Sequence, residues 1–199
     1  MCIQLNKDDV RRLFPEVDEI QDESLREGVI DIWIETAAES SWERIEDVPK
    51  SLNAERYRRL VDHVRGVTRL ALALAEGCER EQGAKYNRDY LLAACLLHDA
   101  SKIVEMDPDP AGQPTGGPAL PAKKSLIGTK IQHGAYATHK IFAKNLPLEV
   151  AHLVLTHTHA SNLRSPSLEA AYLFYADYAD SDAGIVQAGG QTFTQRWKL

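Results

Sequence analysis

Residues 91–102 read Leu-Leu-Ala-Ala-Cys-Leu-Leu-His-Asp-Ala-Ser-Lys. An unbroken apolar run, Leu91 to Leu97, leads straight into His98 and Asp99. The pattern predicts a helix over about 88–103 that is apolar nearly all round, and such a helix lies in the centre of a bundle. A histidine and a carboxylate at that depth must be hydrogen-bonded, paired or metal-bound, because a lone charge in an apolar interior is costly. Neighbouring helical residues project about 100° apart. They can converge on one metal, or reach two metals about 3.5–4 Å apart with the carboxylate between them. Lys102 follows on the same face one turn later, where a cation would meet the phosphate or carboxylate of a metal-held substrate.

The surrounding text is helical almost throughout, with no convincing period-2 strand and no internal repeat, which makes the expected fold class all-α. Residues 8–47 suggest two or three short helices, with Ile30, Trp33 and Ile34 as core contacts. The stretch Val48-Pro-Lys-Ser-Leu-Asn53 reads as a linker ending in a helix cap. The clearest helix is predicted over about 54–80, where Leu60, Val64, Val67, Ala71 and Leu74 recur at three- and four-residue spacing. Residues 107–121 hold five of the nine prolines and three glycines, a long loop of the kind that often serves as a lid. Further helices are expected over about 131–145, from Pro147 to about 159, and from a Ser165 cap with Pro166 in the first turn to near Gly184.

The chain has 199 residues, enough for one real core plus an appendage. The expected division is an N-terminal helical extension at 1–52, a metal-site bundle at 53–190 and a tail at 191–199. The bland role for the extension, with Trp33 and Trp42, is a cover packed over the bundle. The formal charge of −6 argues against a nucleic-acid polymer as partner and leaves room for a small anionic ligand in a local basic pocket. No apolar run reaches the roughly 20 residues of a membrane span. No secretory h-region is visible, and Cys2, Cys78 and Cys95 form no CxxC. A cytoplasmic location is the expectation, without membrane association.

Seven histidines occur, and helical spacing sorts them. Val150, Leu153, Val154 and His157 share a face, so His157 points where the core points. His159 and His152 fall off that stripe and are expected to be solvated or behind the ligands, and His139 is expected at the surface. Ala170, Leu173, Phe174 and Asp177 share a face by the same spacing, and Asp180 lies only about 60° from Asp177. With His63 and His133, inward His and Asp residues thus fall on several helices of one bundle, which is how bundle metal sites are built. Imidazole and carboxylate together suit zinc, iron, manganese, cobalt or nickel.

These residues resemble the HD superfamily of metal-dependent phosphohydrolases. The order His63, His98-Asp99, Asp177 is similar to its signature, and His133-Gly134 and His157-Thr158 are similar to the two extra histidines of its binuclear subgroup. Tyr175-Ala176-Asp177-Tyr178 resembles the last ligand motif. The wording is most similar to the bacterial HD-type symmetrical dinucleoside tetraphosphate hydrolases. The first 50 or so residues and the Pro-rich insertion have no counterpart there. The resemblance implies an HD-domain helical bundle. It implies His63, His98, Asp99, His133, His157 and Asp177 as ligands, with Asp99 bridging, and two iron ions per chain with manganese, cobalt, nickel or zinc as substitutes.

The implied reaction is attack of metal-activated water on a phosphate ester or phosphoanhydride, with a nucleotide as the expected substrate and a homodimer as the expected assembly. Asp99 and Lys102 are the expected catalytic groups. Lys102, Lys130, Arg164 and Asp180 are the candidate substrate contacts, with Asp180 also a candidate partner of a ligand histidine. Lys123 and Lys124 are more simply a solvated stretch. Two rival functions share the pattern. The same ligand set resembles HD-type di-iron oxygenases such as myo-inositol oxygenase, which act on small polar substrates. A non-catalytic nucleotide-binding HD module would be marked by lost ligands, and all six are present.

Overall fold

The apolar run at 91–97 becomes the axis of the bundle. Helix α4 (Arg88–Leu97) is capped by Asn87, whose side chain accepts from the Tyr90 amide, and all of Leu91 to Leu97 is buried. Around it pack α2 (Glu23–Ala38), α3 (Leu60–Gln82), α8 (Leu148–Thr156) and α9 (Leu168–Gln187), with α7 (Ala135–Ala143) laid on α8. This computed structural model describes residues 3–161, 163 and 165–196, so Cys2, Arg164 and Trp197 lie outside the described residues. The fold is all-α, and among the described residues no helix is long and apolar enough to cross a membrane.

Several predicted boundaries move, each for a local reason. The helix expected from residue 54 begins at Leu60. Asn53 caps nothing there. Its side chain accepts from the Glu55 amide at 3.1 Å and its carbonyl accepts from Arg56 at 3.0 Å, the local turn that asparagine offers in competition with a helix. Residues 48–60 form a strap instead: Pro49 bridges Arg59, the Lys50 amide donates to Arg58 O at 2.8 Å, and the Leu60 amide donates to Val48 O at 2.9 Å. Along α3 the contact follows the i+4 row Val67, Ala71, Ala75, so Leu74 rotates out to 40% exposure.

The helix predicted to 103 stops at Leu97. A tight turn, with Ala100 N donating to Leu97 O at 3.0 Å, leads into α5 (Lys102–Glu105). The Pro-rich segment is pinned at its base by an antiparallel ribbon that the sequence pattern did not anticipate. Strand β1 (Met106–Pro108) pairs with β2 (Ala122–Lys124), Met106 opposite Lys124. Strands of that length carry no alternation to detect. The loop is tied further by Leu120 N to Asp47 O at 2.9 Å.

The helix predicted over 131–145 shortens to α7, because Gly134 takes a left-handed φ of 83° just before it, and a separate short helix α6 (Leu126–Lys130) precedes the predicted span. Helix α8 ends at Thr156 rather than 159. Ser167, not Ser165, caps α9 by accepting from the Ala170 amide at 3.2 Å, and α9 runs past Gly184 to Gln187. A last turn, α10 (Phe193–Arg196), follows.

The N-terminal residues pack over the bundle as a cover. Helix α1 (Lys7–Leu13) carries an Asn6/Asp9 capping box, and 3-10 turns occupy Pro15–Glu19 and Ile45–Asp47. Trp33 is fully buried, stacks on Phe14 at 4.5 Å, and donates its indole N–H to Leu96 O at 3.1 Å. Trp42 donates to Met106 O at 2.8 Å. Both bind the cover to the segment that carries His98 and Asp99, within one shared apolar cluster. Ile30 is buried there, whereas Ile34 is only half-buried.

Candidate metal centre

His98 and His157 each sit just past the end of a buried helix, α4 and α8. The last carbonyls of a helix lack intrahelical partners. Each histidine uses one: His98 Nδ1 meets Cys95 O, and His157 Nδ1 meets Val154 O, both at 2.7 Å. His63 comes from the first turn of α3, with Nδ1 at 2.6 Å from Asp180 Oδ2. His133 precedes α7, with Nδ1 at 2.9 Å from Glu105 Oε2. Every one of these rings therefore has an acceptor on Nδ1, which fixes the tautomer and leaves Nε2 facing inward.

The inward atoms fall into two groups, His63–His98–Asp177 and Asp99–His133–His157. Asp99 lies between them. Its Oδ2 is 3.1 Å from His63 Nε2 and 3.5 Å from His98 Nε2, while its Oδ1 is 2.9 Å from His133 Nε2 and 3.9 Å from His157 Nε2. Asp177 Oδ1 stands 3.2 Å from His63 Nε2. His63 Nε2 and His98 Nε2 are 3.3 Å apart in a fully buried setting. With both Nδ1 atoms donating, two neutral rings would set lone pairs against each other there, which a proton or a metal cation relieves. The donor set fits a divalent transition metal.

The charges agree. Burial opposes protonation of His63, but Asp177, Asp180 and Asp99 outweigh it and lift its pKa to about 9. His133 is lifted to about 9 against burial by Asp99 and Glu105. In the metal-free chain a proton thus stands where a cation belongs. His157 is pushed down to about 3 by burial and then by His133 and His98. Burial would raise the Asp99 carboxyl, but Lys102 and His98 hold it well below the usual range. Asp177 is likewise held low against burial, chiefly by His63.

The His/Asp cluster opens into a cavity of about 210 Å³ lined by Asp99, Lys102, His133, His157, Asp177, Lys50 and Arg196 among others. A second cavity of about 530 Å³ meets it at Lys102 and His133 and is walled by Leu52, Met106, Ile131, Lys124 and Lys130. Lys102 Nζ lies 2.5 Å from Asp99 Oδ2. Lys123 sits in β2 opposite Asp107, away from both cavities. Asp180 is off the cavity wall: it takes Arg58 at 2.8 and 3.0 Å and His63 behind the ligands. That geometry places Asp180 behind His63, as a partner of a candidate histidine, and not on the wall where a substrate would lie. His139 is exposed. His159 is half-buried rather than solvated, its ring on the Tyr178 hydroxyl and beside Phe193. Arg164 lies outside the described residues.

A family model for the HD domain matches residues 60–182. The chain belongs to the HD-domain superfamily. It is a metal-dependent phosphohydrolase of that superfamily, with His/Asp groups that could hold the metal. It is 30% identical over 181 residues to the dihydroneopterin 2',3'-cyclic phosphate phosphodiesterase of Methanocaldococcus jannaschii, covering 86% of this chain and 69% of that protein. That relative is named as a phosphodiesterase for a cyclic phosphate, whereas the motif wording is most similar to dinucleoside tetraphosphate hydrolases. No solved structure matches.

Apart from Asp180, sequence reasoning missed the partners that orient these histidines. Glu105 stands 28 positions from His133 and has no motif of its own. Lys50 lies in a segment that reads as a linker. The two backbone carbonyls have no side-chain signal, although an i−3 carbonyl is always within reach of a histidine that ends a helix.

Proposed function

We propose that this chain holds two divalent transition metals, iron foremost, and hydrolyses a small phosphodiester, typically a cyclic phosphate on a nucleotide-like scaffold. The observation that carries this reading is the division of Asp99, one oxygen toward each group of ligand atoms. Two cations held this way would lower the pKa of water toward neutrality and offset charge on the phosphoryl oxygens. The chain supplies the rest. His63, His98 and Asp177 would hold one ion, His133 and His157 the other, with Asp99 shared. Asp180, Glu105 and two carbonyls keep the imidazoles aimed. Lys102, at the junction of the two cavities, meets the phosphoryl oxygens. The organic part of the substrate fits the 530 Å³ cavity, whose Leu52, Met106 and Ile131 give it an apolar wall.

The phosphodiesterase relative supports a diester as the bond broken and water as the nucleophile. The test is anaerobic turnover by protein loaded with Fe²⁺ or Mn²⁺. The substrates are a 2′,3′-cyclic nucleotide, bis-p-nitrophenyl phosphate, p-nitrophenyl phosphate and a dinucleoside tetraphosphate. Diester hydrolysis that rises to a plateau at two metals per chain is the expected result. Full activity at one metal, cleavage of the anhydride alone, or a requirement for dioxygen would each overturn it.

A further inference from the structure

We infer that Lys50 is a second phosphate-binding cation of this site, delivered beside Lys102 by the strap at 48–60, which lies almost wholly before the matched HD span. The inference rests on the proposed phosphodiester reading for its substrate, and on the strap's geometry for the residue. Lys50 is only 6% exposed, and it lines the cavity that also holds Asp99, Lys102 and Asp177. The strap's own hydrogen bonds fix its backbone, through Lys50 N to Arg58 O at 2.8 Å.

Its ammonium carries three protons. One is held by the fully buried Glu55 carboxylate and one by Ser181 Oγ at 2.6 Å, which leaves one donor unassigned. These contacts also tie Lys50 to the ligands. Ser181 Oγ is 3.5 Å from Asp177 Oδ1. On the other side, Glu55 Oε1 takes Arg58 at 2.9 Å, Arg58 takes Asp180, and Asp180 takes His63.

A structural ion pair alone does not account for this placement. A buried pair adds little net stability over apolar side chains of similar size. Here the pair is set where Lys102 repels it: burial first, and then Lys102, lower the Lys50 pKa against the opposing pull of Glu55 and Asp177. Lys102 already has Asp99 as its partner. Two ammonium groups thus line one small cavity, each with one carboxylate partner, and a phosphate presents enough oxygens to reach both.

Inorganic phosphate is the probe, titrated by calorimetry and ³¹P NMR into both the metal-free chain and the Mn²⁺-loaded enzyme. Lys50→Met should weaken phosphate binding about tenfold or more in both forms, with metal content unchanged. The KM for bis-p-nitrophenyl phosphate should rise with it, and Lys50→Arg should restore both to within about threefold. Because Lys50→Met strands the Glu55 carboxylate, Lys50→Met/Glu55→Gln is the companion variant, which removes both charges and leaves an amide oxygen for Arg58. If the single variant loses thermal stability, the double variant recovers it, and both bind phosphate like the wild type, Lys50 is structural and the inference falls. If the wild type hydrolyses no diester under any metal load, the proposed function falls, while the phosphate titrations still decide the role of Lys50.

Discussion

Asp180→Asn separates the two halves of the metal centre. Asp180 accepts from His63 Nδ1 at 2.6 Å and from Arg58 at 2.8 and 3.0 Å. Asparagine keeps an oxygen for His63 but removes the charge that makes its Nε2 a strong donor to metal. Arg58 retains the Glu55 carboxylate and the Asp180 backbone carbonyl at 3.1 Å, so the strap should hold. Loss of such an outer partner weakens metal binding by about 10–100-fold, or about 1.4–2.8 kcal/mol. The loss should fall on the His63–His98–Asp177 group alone. The Asp99–His133–His157 group takes its orientation from Glu105 and Val154 O, and neither touches Asp180. Anaerobic Mn²⁺ titration, followed by calorimetry and EPR, should show one equivalent weakened and one unchanged. In the metal-free variant the imidazole NMR titration of His63 should move down from about 9, because a carboxylate that lifts it has gone. Equal weakening of both equivalents, or no weakening of either, would refute the reasoning.

Other outcomes follow from the same geometry. Asp99→Asn removes the charge both groups share and should cut metal content and reduce diester hydrolysis by at least about 100-fold, measured on folded protein. A Cβ at Gly66 would stand 2.5 Å from Asp180 Oδ1, so Gly66→Ala should reproduce the Asp180→Asn metal titration without touching any ionisable group. Metal-free protein should lose stability as the pH rises through about 9. The folded pKa of buried His63 lies above its unfolded 6.5, so its contribution, about 3 kcal/mol, is complete below 6.5 and gone above 9. Denaturant midpoints across that range check it, and bound metal should flatten the slope. Trp33→Ala should cost about 3–5 kcal/mol in urea unfolding, since it empties a fully buried site and leaves Leu96 O without its donor.

Four of the candidate metal-holding residues were legible from short-range rules, and His63 and His133 only through the resemblance to the HD motifs. His157 and Asp177 share helical faces with apolar residues, and His98-Asp99 terminates a run too apolar to face water. Their partners were legible only for Asp180, and then without the histidine it meets. Asp180 was marked by its angle to Asp177, yet nothing local said that it would meet His63 117 positions earlier. Leu74 was misplaced because a three- and four-residue repeat does not say along which row a neighbouring helix will lie. The Asn53 cap failed because its side chain has equally good partners in a turn and in a helix.

By itself, then, the sequence determined an all-α bundle, its buried axis and inward His and Asp residues on several helices, since apolar periodicity and the cost of buried charge act within a few residues. Only the tertiary structure decided where α4 and α8 stop, so that His98 and His157 lean on free carbonyls rather than extend a helix. It also decided which oxygen of Asp99 faces which histidines, and that a linker lysine reaches the cavity. Those are contacts between segments far apart in the chain, and their energies are fixed by packing that no local pattern encodes.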